Sequence, residues 1–330
     1  MLTRRRLLVG LGLGVLSPAF PLLAQQSKLA RIGFLAVNSR SAASNHDDYY
    51  GAFVQGMREL GYVEGRNLVI EWRFADGKYE RIPELAGELV RMNVDAIVTH
   101  STPATQALQR ATSTIPIVTA VVVDPVASRL AASLARPGGN ITGLSNIAID
   151  LSAKQIELLK IMVPNLSRVA VLVNPGTSFH PAYVKTVQAA AQHVGISAAS
   201  VDASTPAEIE RGFAKMTRER VQAMIVAADG FFLGQGRHIA DVALKSRVPV
   251  ISPWRQHVAV GGLMSYGQNI ADYFRQAASY VDKILKGAKA GELPFEQPTR
   301  IHLALNRKTA TSLGIKIPAE LILRADEVIE

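Results

Sequence analysis

The chain has 330 residues, of which 48% are hydrophobic and 19% charged, and a net charge of +9. This composition is typical of globular proteins, excludes a disordered chain and allows two domains. The positive charge is spread along the sequence without a run of five basic residues, so we expect no nucleic-acid binding. The lack of cysteine excludes disulfides, thiolate zinc sites, cysteine nucleophiles and a lipid anchor on an N-terminal cysteine.

Residues 1–24 have the pattern of an export signal. Three arginines at positions 4–6 precede an apolar run at 7–16, which is too short to span a bilayer, and small residues follow near Ala24. Residues 3–8 also fit the twin-arginine pattern, and an ordinary secretory segment rich in arginine is the alternative. We therefore expect a periplasmic protein that is exported, without a lipid anchor, and that begins near Gln25 or Gln26.

The first half of the chain alternates short apolar runs with amphipathic stretches. Asp124 and Pro125 have the chemistry of a helix start, and Gly138 that of a helix stop. In chain order the predicted elements are a strand at 30–37, a helix at 47–60, a strand at 67–74, a helix at 79–92, a strand at 94–100, a helix at 103–111, a strand at 115–123 and a helix at 124–135.

The second half repeats this alternation. The predicted elements are a helix around 156–162, a strand at 168–174, a helix at 182–193, a strand at 196–202, a helix from 205, a strand at 222–228, a helix, strands at 248–253 and 261–267, a helix at 270–285 and a strand at 300–306. Strands that alternate with helices predict parallel sheets covered on both faces. Ten strands would crowd one sheet, so the sequence predicts two doubly wound α/β lobes that meet near residue 145.

The segment RPGGNITGLSN at 136–146 could be a phosphate loop or a structural turn. A Walker loop needs a lysine after its last glycine, and none follows Gly143. A dinucleotide fingerprint opens a helix, whereas Gly138 and Gly139 lead into a strand. We therefore interpret Asn140 to Leu144 as a strand that carries the chain from one lobe to the other, where glycine permits unusual backbone angles.

Motifs for catalysis or metal binding are missing from the sequence. The stretch LMSYG lacks the first glycine of a serine-hydrolase elbow, and the seven histidines form no paired motif. The adjacent acids Asp47 and Asp48 would not face each other on a helix. We therefore expect a protein that is not an enzyme and has no metal or cofactor.

Polar and aromatic side chains follow the ends of several predicted strands, where ligands bind in doubly wound sheets. Ser101 and Thr102 at a helix start suit a carboxylate, although helix capping is the alternative role for Ser101, Thr102 and Asp124. Asp124 or Asp229 could meet an ammonium group, and Trp254 or Tyr266 could stack on an apolar body. The predicted ligand-binding residues are Asn38, Ser39, Ser101, Thr102, Asp124, Asn174, Asp229, Trp254, Ser265 and Tyr266.

Several long segments resemble one known family. They are ELGYVEGRNLVIEWRFADGKYERIPELAGELV, ATSTIPIV, DPVASRLAASLARPGGNITGLS, IELLKIMVPNLSRVAVLVNPG, GGLMSYG, YVDKILKGAKAGELPFEQPT and LRADEVIE. Together they resemble the ABC-transporter substrate-binding protein family that includes tryptophan- and tyrosine-binding members. The resemblance extends from about Ala30 to Glu330.

The resemblance implies a type I periplasmic binding fold, in which two Rossmann-like lobes are joined by three crossovers and close on a ligand by hinge bending. The crossovers would be residues 140–146, 262–267 and 294–300, with hinge residues Asn140, Thr142, Gly143 and Gly267. The lobes would comprise 28–143 plus 267–295 and 144–266 plus 296–330. The family often has a glycine-rich stretch where this chain has Ala127 and Arg129, so the resemblance does not carry over a ligand.

The expected function is that of a monomeric periplasmic receptor. It would capture a small molecule, an aromatic or other amino acid, and deliver it to an ABC transporter permease in the inner membrane. The alternatives are a ligand-binding sensory subunit for a membrane signalling partner and an exported hydrolase.

Overall fold

The computed structural model describes residues 29–39, 49–298 and 300–330. The predicted export signal lies outside these residues. The first half of the chain builds a five-stranded parallel sheet in the order β2-β1-β3-β4-β5. Its elements are β1 (Ala30–Ala36), α1 (Tyr49–Glu59), β2 (Leu68–Phe74), α2 (Ile82–Arg91), β3 (Ala96–Thr99), α3 (Thr102–Ala111), β4 (Ile117–Val123) and β5 (Ile141–Asn146).

The second half builds a seven-stranded sheet in the order β12-β11-β10-β9-β8-β6-β7, in which β10 and β11 pair antiparallel and the other pairs are parallel. Its elements are α4 (Ser152–Met162), β6 (Arg168–Val173), α5 (His180–His193), β7 (Ser197–Asp202), α6 (Pro206–Arg218), β8 (Ala223–Val226), α7 (Gly230–Gly234), α8 (Gly236–Ser246), β9 (Val250–Ser252), α9 (Arg255–Ala259), β10 (Met264–Gly267), α10 (Ile270–Leu285), β11 (His302–Asn306), α11 (Arg307–Ser312), α12 (Ala319–Arg324) and β12 (Glu327–Ile329).

The central strands are continuous apolar runs because helices cover both faces of each sheet. Every residue of β3 and β4 is buried, which is typical of parallel strands in doubly wound folds. Helix α10 follows the second sheet in sequence but packs on α1 and on β3, β4 and β5 of the first sheet. The α1–α10 contact is close at Gly56, where an added Cβ would lie 2.8 Å from the Arg275 carbonyl oxygen. The chain therefore forms two α/β lobes, as predicted.

Three chain crossings connect the lobes, after β5, after β10 and before β11. Gln268 links the three crossings to one another. Its Oε1 accepts a 3.4 Å hydrogen bond from the Ile147 amide, and its Nε2 donates to the Pro298 carbonyl. Leu144 of β5 also forms a parallel bridge with Glu296. The three-crossover fold is confirmed. The predicted lobe ranges, 28–143 plus 267–295 and 144–266 plus 296–330, divide the chain near the ends of β5 and β10 and stay a proposal.

The predicted helix at 124–135 is wrong. This segment consists of turns and bends, because Asp124 and Arg129 have left-handed backbone angles, with φ of 39° and 57°. Asp124 still supplies capping chemistry: its Oδ1 accepts a 2.9 Å hydrogen bond from the Ala127 amide. Helices α9, α11 and α12 and strand β12 were not predicted, because elements of three to six residues carry too few positions to show a period.

Candidate functional site

A cavity lies between the two lobes at the carboxyl ends of their strands. The space between its lining residues, open solvent at its mouth included, amounts to about 380 Å³. Doubly wound sheets bind ligands at this edge, since loops and helix starts meet there. Its lining residues are His100, Ser101, Thr102, Pro103, Val121, Val122, Val123, Asn146, Thr177, Phe179, Ala228, Asp229, Gly230, Leu233, Trp254 and Ile270.

The wall from the first lobe presents the start of α3. Ser101 has a φ of 78° and caps this helix, with its Oγ accepting a 3.4 Å hydrogen bond from the Ala104 amide. Thr102 is 2% exposed, and its hydroxyl has no hydrogen-bond partner among the described residues. A helix start and an unpaired hydroxyl together favour a carboxylate or another anionic group of a ligand. Ser101 is thus an N-cap, whereas Thr102 offers a free polar group.

His100 lines the same wall as a neutral side chain. Its Nε2 accepts a 3.1 Å hydrogen bond from the Val37 amide and lies 3.2 Å from the Tyr50 hydroxyl. Burial lowers the pKa of His100 to about 3, because the imidazolium would lose its hydration there. The described lining residues include no lysine or arginine, so a bound carboxylate would rely on α3 and hydroxyl groups rather than on a cation.

Asp229 forms the opposite wall, at the start of α7. It is 5% exposed and accepts hydrogen bonds from side chains and from the amides of the helix that it caps. Oδ1 accepts from Asn174 Nδ2 at 3.2 Å and from the Phe231 amide at 2.9 Å. Oδ2 accepts from the Thr177 hydroxyl at 2.6 Å and from the Tyr79 hydroxyl at 3.0 Å. These donors hold the carboxylate in one orientation at the cavity wall.

Hydrogen bonds connect the lobes directly beside the cavity. Tyr79 belongs to a short 3₁₀ turn of the first lobe, Tyr79–Arg81, and donates to Asp229 of the second. Asn38 Nδ2, just after β1, donates to the Gly230 carbonyl at 2.7 Å. At Gly234 an added Cβ would lie 2.4 Å from Asn38 Oδ1, so the lobes approach closely there. The lobes are therefore in direct contact along this edge of the cleft.

The rest of the cavity is mostly apolar. Trp254 is 7% exposed, and its ring meets His257 edge to face at a centroid distance of 5.3 Å. Phe179 and Leu233 from the second lobe face Val121 and Ile270 from the other side of the cleft. The combination of one polar wall from each lobe with an apolar interior suits a small amphiphilic molecule.

The cavity brings together four of the predicted ligand-binding residues: Ser101, Thr102, Asp229 and Trp254. Asn38 and Asn174 are buried behind the lining, where they bond to Gly230 and Asp229.

The other predicted residues do not line this cavity, and their part in ligand binding stays a prediction. Asp124 turns back to cap Ala127, and Ser39 is partly exposed after β1. Ser265 is 1% exposed inside β10, between β9 and β11. Tyr266 is partly buried in the same strand, where its carbonyl accepts from Gln155 Nε2 at 3.2 Å.

Sequence reasoning missed Asn146, Thr177, Phe179 and Tyr79. Thr177 and Phe179 follow the predicted strand end at Asn174, so extending the search by five residues would have included them. Asn146 ends the strand that was interpreted as a crossover. Tyr79 lies far in sequence from its partner Asp229 and carries no local signal.

The predicted hinge residues lie at or near the crossings. Asn140 precedes β5 and donates to the carbonyl oxygens of Thr112 and Ile115 within the first lobe. The Thr142 hydroxyl donates to the Leu293 carbonyl, which joins the first crossing to the third. Gly143 has a φ of 139°, and an added Cβ at Gly267 would lie 2.0 Å from the Pro253 carbonyl oxygen. Their role in bending stays a prediction.

Two structural absences hold for the residues that the structure describes. No group of three histidine or acidic side chains is arranged to hold a metal ion there. Over the same part of the chain, none of the helices combines the length and the apolar character that crossing a bilayer requires.

Comparisons with known proteins agree with this architecture. Residues 37–329 match the family model for ABC transporter substrate binding proteins. The chain is 25% identical over 279 residues to a tyrosine-binding protein of Clostridioides difficile, covering 83% of this chain and 80% of that protein.

Two solved structures have the same fold. A conserved domain protein of Vibrio cholerae superposes with a TM-score of 0.84 at 28% identity, covering 91% of this chain and 100% of the other. An ABC domain in complex with L-Trp from Streptococcus pneumonia superposes with a TM-score of 0.82 at 28% identity, covering 91% and 99%. The matched family is a class of solute-binding proteins rather than of enzymes. The chain therefore belongs to the ABC transporter substrate binding protein family, whose members bind small molecules and deliver them to ABC permeases.

Proposed function

We propose that this protein is the periplasmic receptor of an ABC importer and captures an amino acid, in the first place an aromatic one, between its lobes. The observation that carries the proposal is the buried hydroxyl of Thr102 at the start of α3, which has no hydrogen-bond partner in the described part of the chain. A buried hydroxyl without a partner costs free energy, and a ligand carboxylate would supply the missing acceptor.

The remaining lining of the cavity offers apolar and aromatic contacts to a ligand side chain. Trp254 and Phe179 offer rings for edge-to-face or offset contacts with a ligand ring. Such contacts stabilise a complex by more than the burial of apolar area alone. The relative from Clostridioides difficile is named for tyrosine binding, and the structure from Streptococcus pneumonia holds L-Trp. Both names support tryptophan and tyrosine as the first ligands to test.

Capture would proceed by closure of the lobes around the three crossings. A ligand that contacts both Thr102 and the wall at Asp229 does so fully only when the lobes meet, so binding favours the closed arrangement. The permease of the inner membrane would then recognise the closed form.

A thermal-shift screen of the twenty amino acids, followed by titration calorimetry, tests the ligand. We expect L-tryptophan or L-tyrosine to raise the melting temperature, because a ligand of the folded state stabilises it by mass action. Small-angle scattering tests closure, and the radius of gyration should fall at saturating ligand. Absence of binding by every aromatic amino acid would refute the proposed ligand class.

A further inference from the structure

The hydrogen-bonding capacity of Asp229 is filled by the protein itself. A carboxylate offers about four lone-pair sites. Asn174, Phe231 and Phe232 donate to Oδ1, the last through an amide at 3.4 Å. Thr177 and Tyr79 donate to Oδ2 at 2.6 and 3.0 Å. A ligand ammonium group would find no free lone pair on Asp229 without displacing one of these donors.

Of these five donors, Tyr79 alone comes from the opposite lobe. Its hydroxyl donates to Asp229 and accepts a 3.2 Å hydrogen bond from the Phe231 amide, so it bridges two groups at the start of α7. Burial of the hydroxyl and the charge of Asp229 raise the pKa of Tyr79 well above its ordinary value. The hydroxyl is therefore protonated at neutral pH and can donate this bond.

The surroundings of this bond are built for close contact. Gly230 lies beside Asp229, and an added Cβ there would meet the Ser101 Cβ at 3.1 Å and the Tyr79 hydroxyl at 3.4 Å. Asn38 donates to the Gly230 carbonyl from the same side. The lobes thus meet at α7 through three hydrogen bonds, Tyr79–Asp229, Phe231–Tyr79 and Asn38–Gly230. Gly230 adds no side chain that would hold them apart.

We propose that Tyr79 is a positioning residue that latches the lobes together through Asp229, and that Asp229 is committed to this latch rather than to a ligand ammonium group. This inference rests on the proposed function, because it assigns the part that each lobe plays in ligand capture. The ligand is then recognised by the α3 wall and the apolar interior.

A latch has a signature that a ligand contact lacks. The apparent dissociation constant equals the intrinsic constant divided by the fraction of protein in the competent state. Removing a latch lowers that fraction, so it raises the dissociation constants of all ligands by one common factor. Removing a ligand contact changes the order of affinities, because it affects only the ligands that make the contact.

The decisive variant is Tyr79→Phe, which keeps the ring and removes the hydroxyl. The matched control is Tyr62→Phe, since Tyr62 donates to Asp282 Oδ1 at 3.1 Å within the first lobe. Because the chain has no cysteine, Glu84→Cys on α2 and Lys185→Cys on α5 add unique spin-label sites on the two lobes. Both positions are exposed. Interlobe distances are then measured by pulsed electron resonance without added ligand.

We expect Tyr79→Phe to shift the distance distribution toward longer values and Tyr62→Phe to leave it unchanged. Calorimetry with L-tryptophan and with indole-3-propionate, which lacks the ammonium group, should show both constants raised by the same factor, up to about tenfold. A melting curve like that of the parent protein confirms that the variant is folded.

Other outcomes would overturn the proposal that Tyr79 holds the lobes together. An unchanged distance distribution in Tyr79→Phe would show that Tyr79 does not hold the lobes. A wild type that binds L-tryptophan but not indole-3-propionate, or a tenfold change of their affinity ratio in Tyr79→Phe, would show that Asp229 recognises the ammonium group. If neither probe binds the wild type, the proposed ligand class fails, and the distance measurement alone decides the latch.

Discussion

The Thr142 hydroxyl donates a 2.7 Å hydrogen bond to the carbonyl oxygen of Leu293, although 151 residues separate them in sequence. Thr142 is fully buried in β5, and Leu293 precedes the third crossing. The bond therefore joins the chain segments at the first and third crossings, about which the lobes would bend. It lies next to Gly143, which pairs with Thr119 of β4.

Gly143→Ala should strongly destabilise the protein. The new Cβ would lie 2.1 Å from the Thr119 carbonyl oxygen, and the φ of 139° is one that alanine resists. We expect a loss of about 3 kcal/mol or more in the free energy of unfolding, measured with urea. Gly139→Ala in the same motif is the control, because nothing lies within 4 Å of its added Cβ. Equal stability of the two variants would contradict the close approach.

Thr102→Val should separate stability from binding. The substitution removes a buried hydroxyl that has no partner among the described residues, so the free energy of unfolding should rise by about 1 kcal/mol. Affinity for L-tryptophan should fall about 10- to 100-fold, since a hydrogen bond to a carboxylate is lost.

Thr105→Val on the same helix is the matched control for Thr102→Val. The Thr105 hydroxyl donates to the Ser101 carbonyl at 2.8 Å, so its loss should lower stability instead. Unaltered tryptophan affinity in Thr102→Val would exclude Thr102 from the ligand contacts.

Gly234→Ala should hinder closure without weakening either lobe. Its Cβ would collide with the Asn38 amide across the cleft and break the Asn38–Gly230 hydrogen bond. We expect about tenfold weaker binding of L-tryptophan and less compaction in small-angle scattering. Gly87→Ala on α2 is the control, because its Cβ would meet only the Arg91 guanidinium, at 3.4 Å. The same compaction in both variants would argue against contact between the lobes at Gly234.

Acid should destabilise the protein through two buried histidines. Burial lowers the pKa of His100 to about 3 and that of His257 to about 4, whereas the unfolded chain has a histidine pKa near ~6.5. The unfolded state binds more protons in this window, so the stabilisation is complete above pH 6.5 and is lost as the pH falls. Between pH 7 and pH 5, each histidine should lower the free energy of unfolding by about 2 kcal/mol.

Urea unfolding at these two pH values measures the effect. His100→Gln should lose about 2 kcal/mol less than the wild type on acidification, because its side chain does not titrate. His193→Gln, at an exposed position, should follow the wild type. A His100→Gln profile identical to that of the wild type would rule out the linkage.

Much of the fold could be read from local patterns. The helix predicted at 270–285 has these bounds in the structure, and all the long strands were found within a few residues. These long elements have many apolar residues spaced at the helix or strand period, so their type can be predicted from the sequence. The helix expected at 124–135 failed because left-handed angles at Asp124 and Arg129 interrupt a segment whose composition favours a helix.

The candidate site was predictable only in part. Ser101, Thr102, Asp229 and Trp254 could be expected at the cleft because strand ends in doubly wound sheets converge. The sequence could not distinguish the capping role of Ser101 from the free hydroxyl of Thr102, since both residue types suit either role. That difference depends on which way each side chain points at the first turn of α3.

The sequence by itself determined the α/β class, the two lobes and the edge of the sheets where a ligand would bind, because hydrophobic periodicity and strand order are properties of neighbouring residues. Only the tertiary structure decided that Tyr79 meets Asp229, that Asn38 meets Gly230 and that Thr142 meets Leu293. Each pair joins segments whose separation is set by how the chain crosses between the lobes. No local pattern encodes such a contact, since it arises from the packing of whole elements.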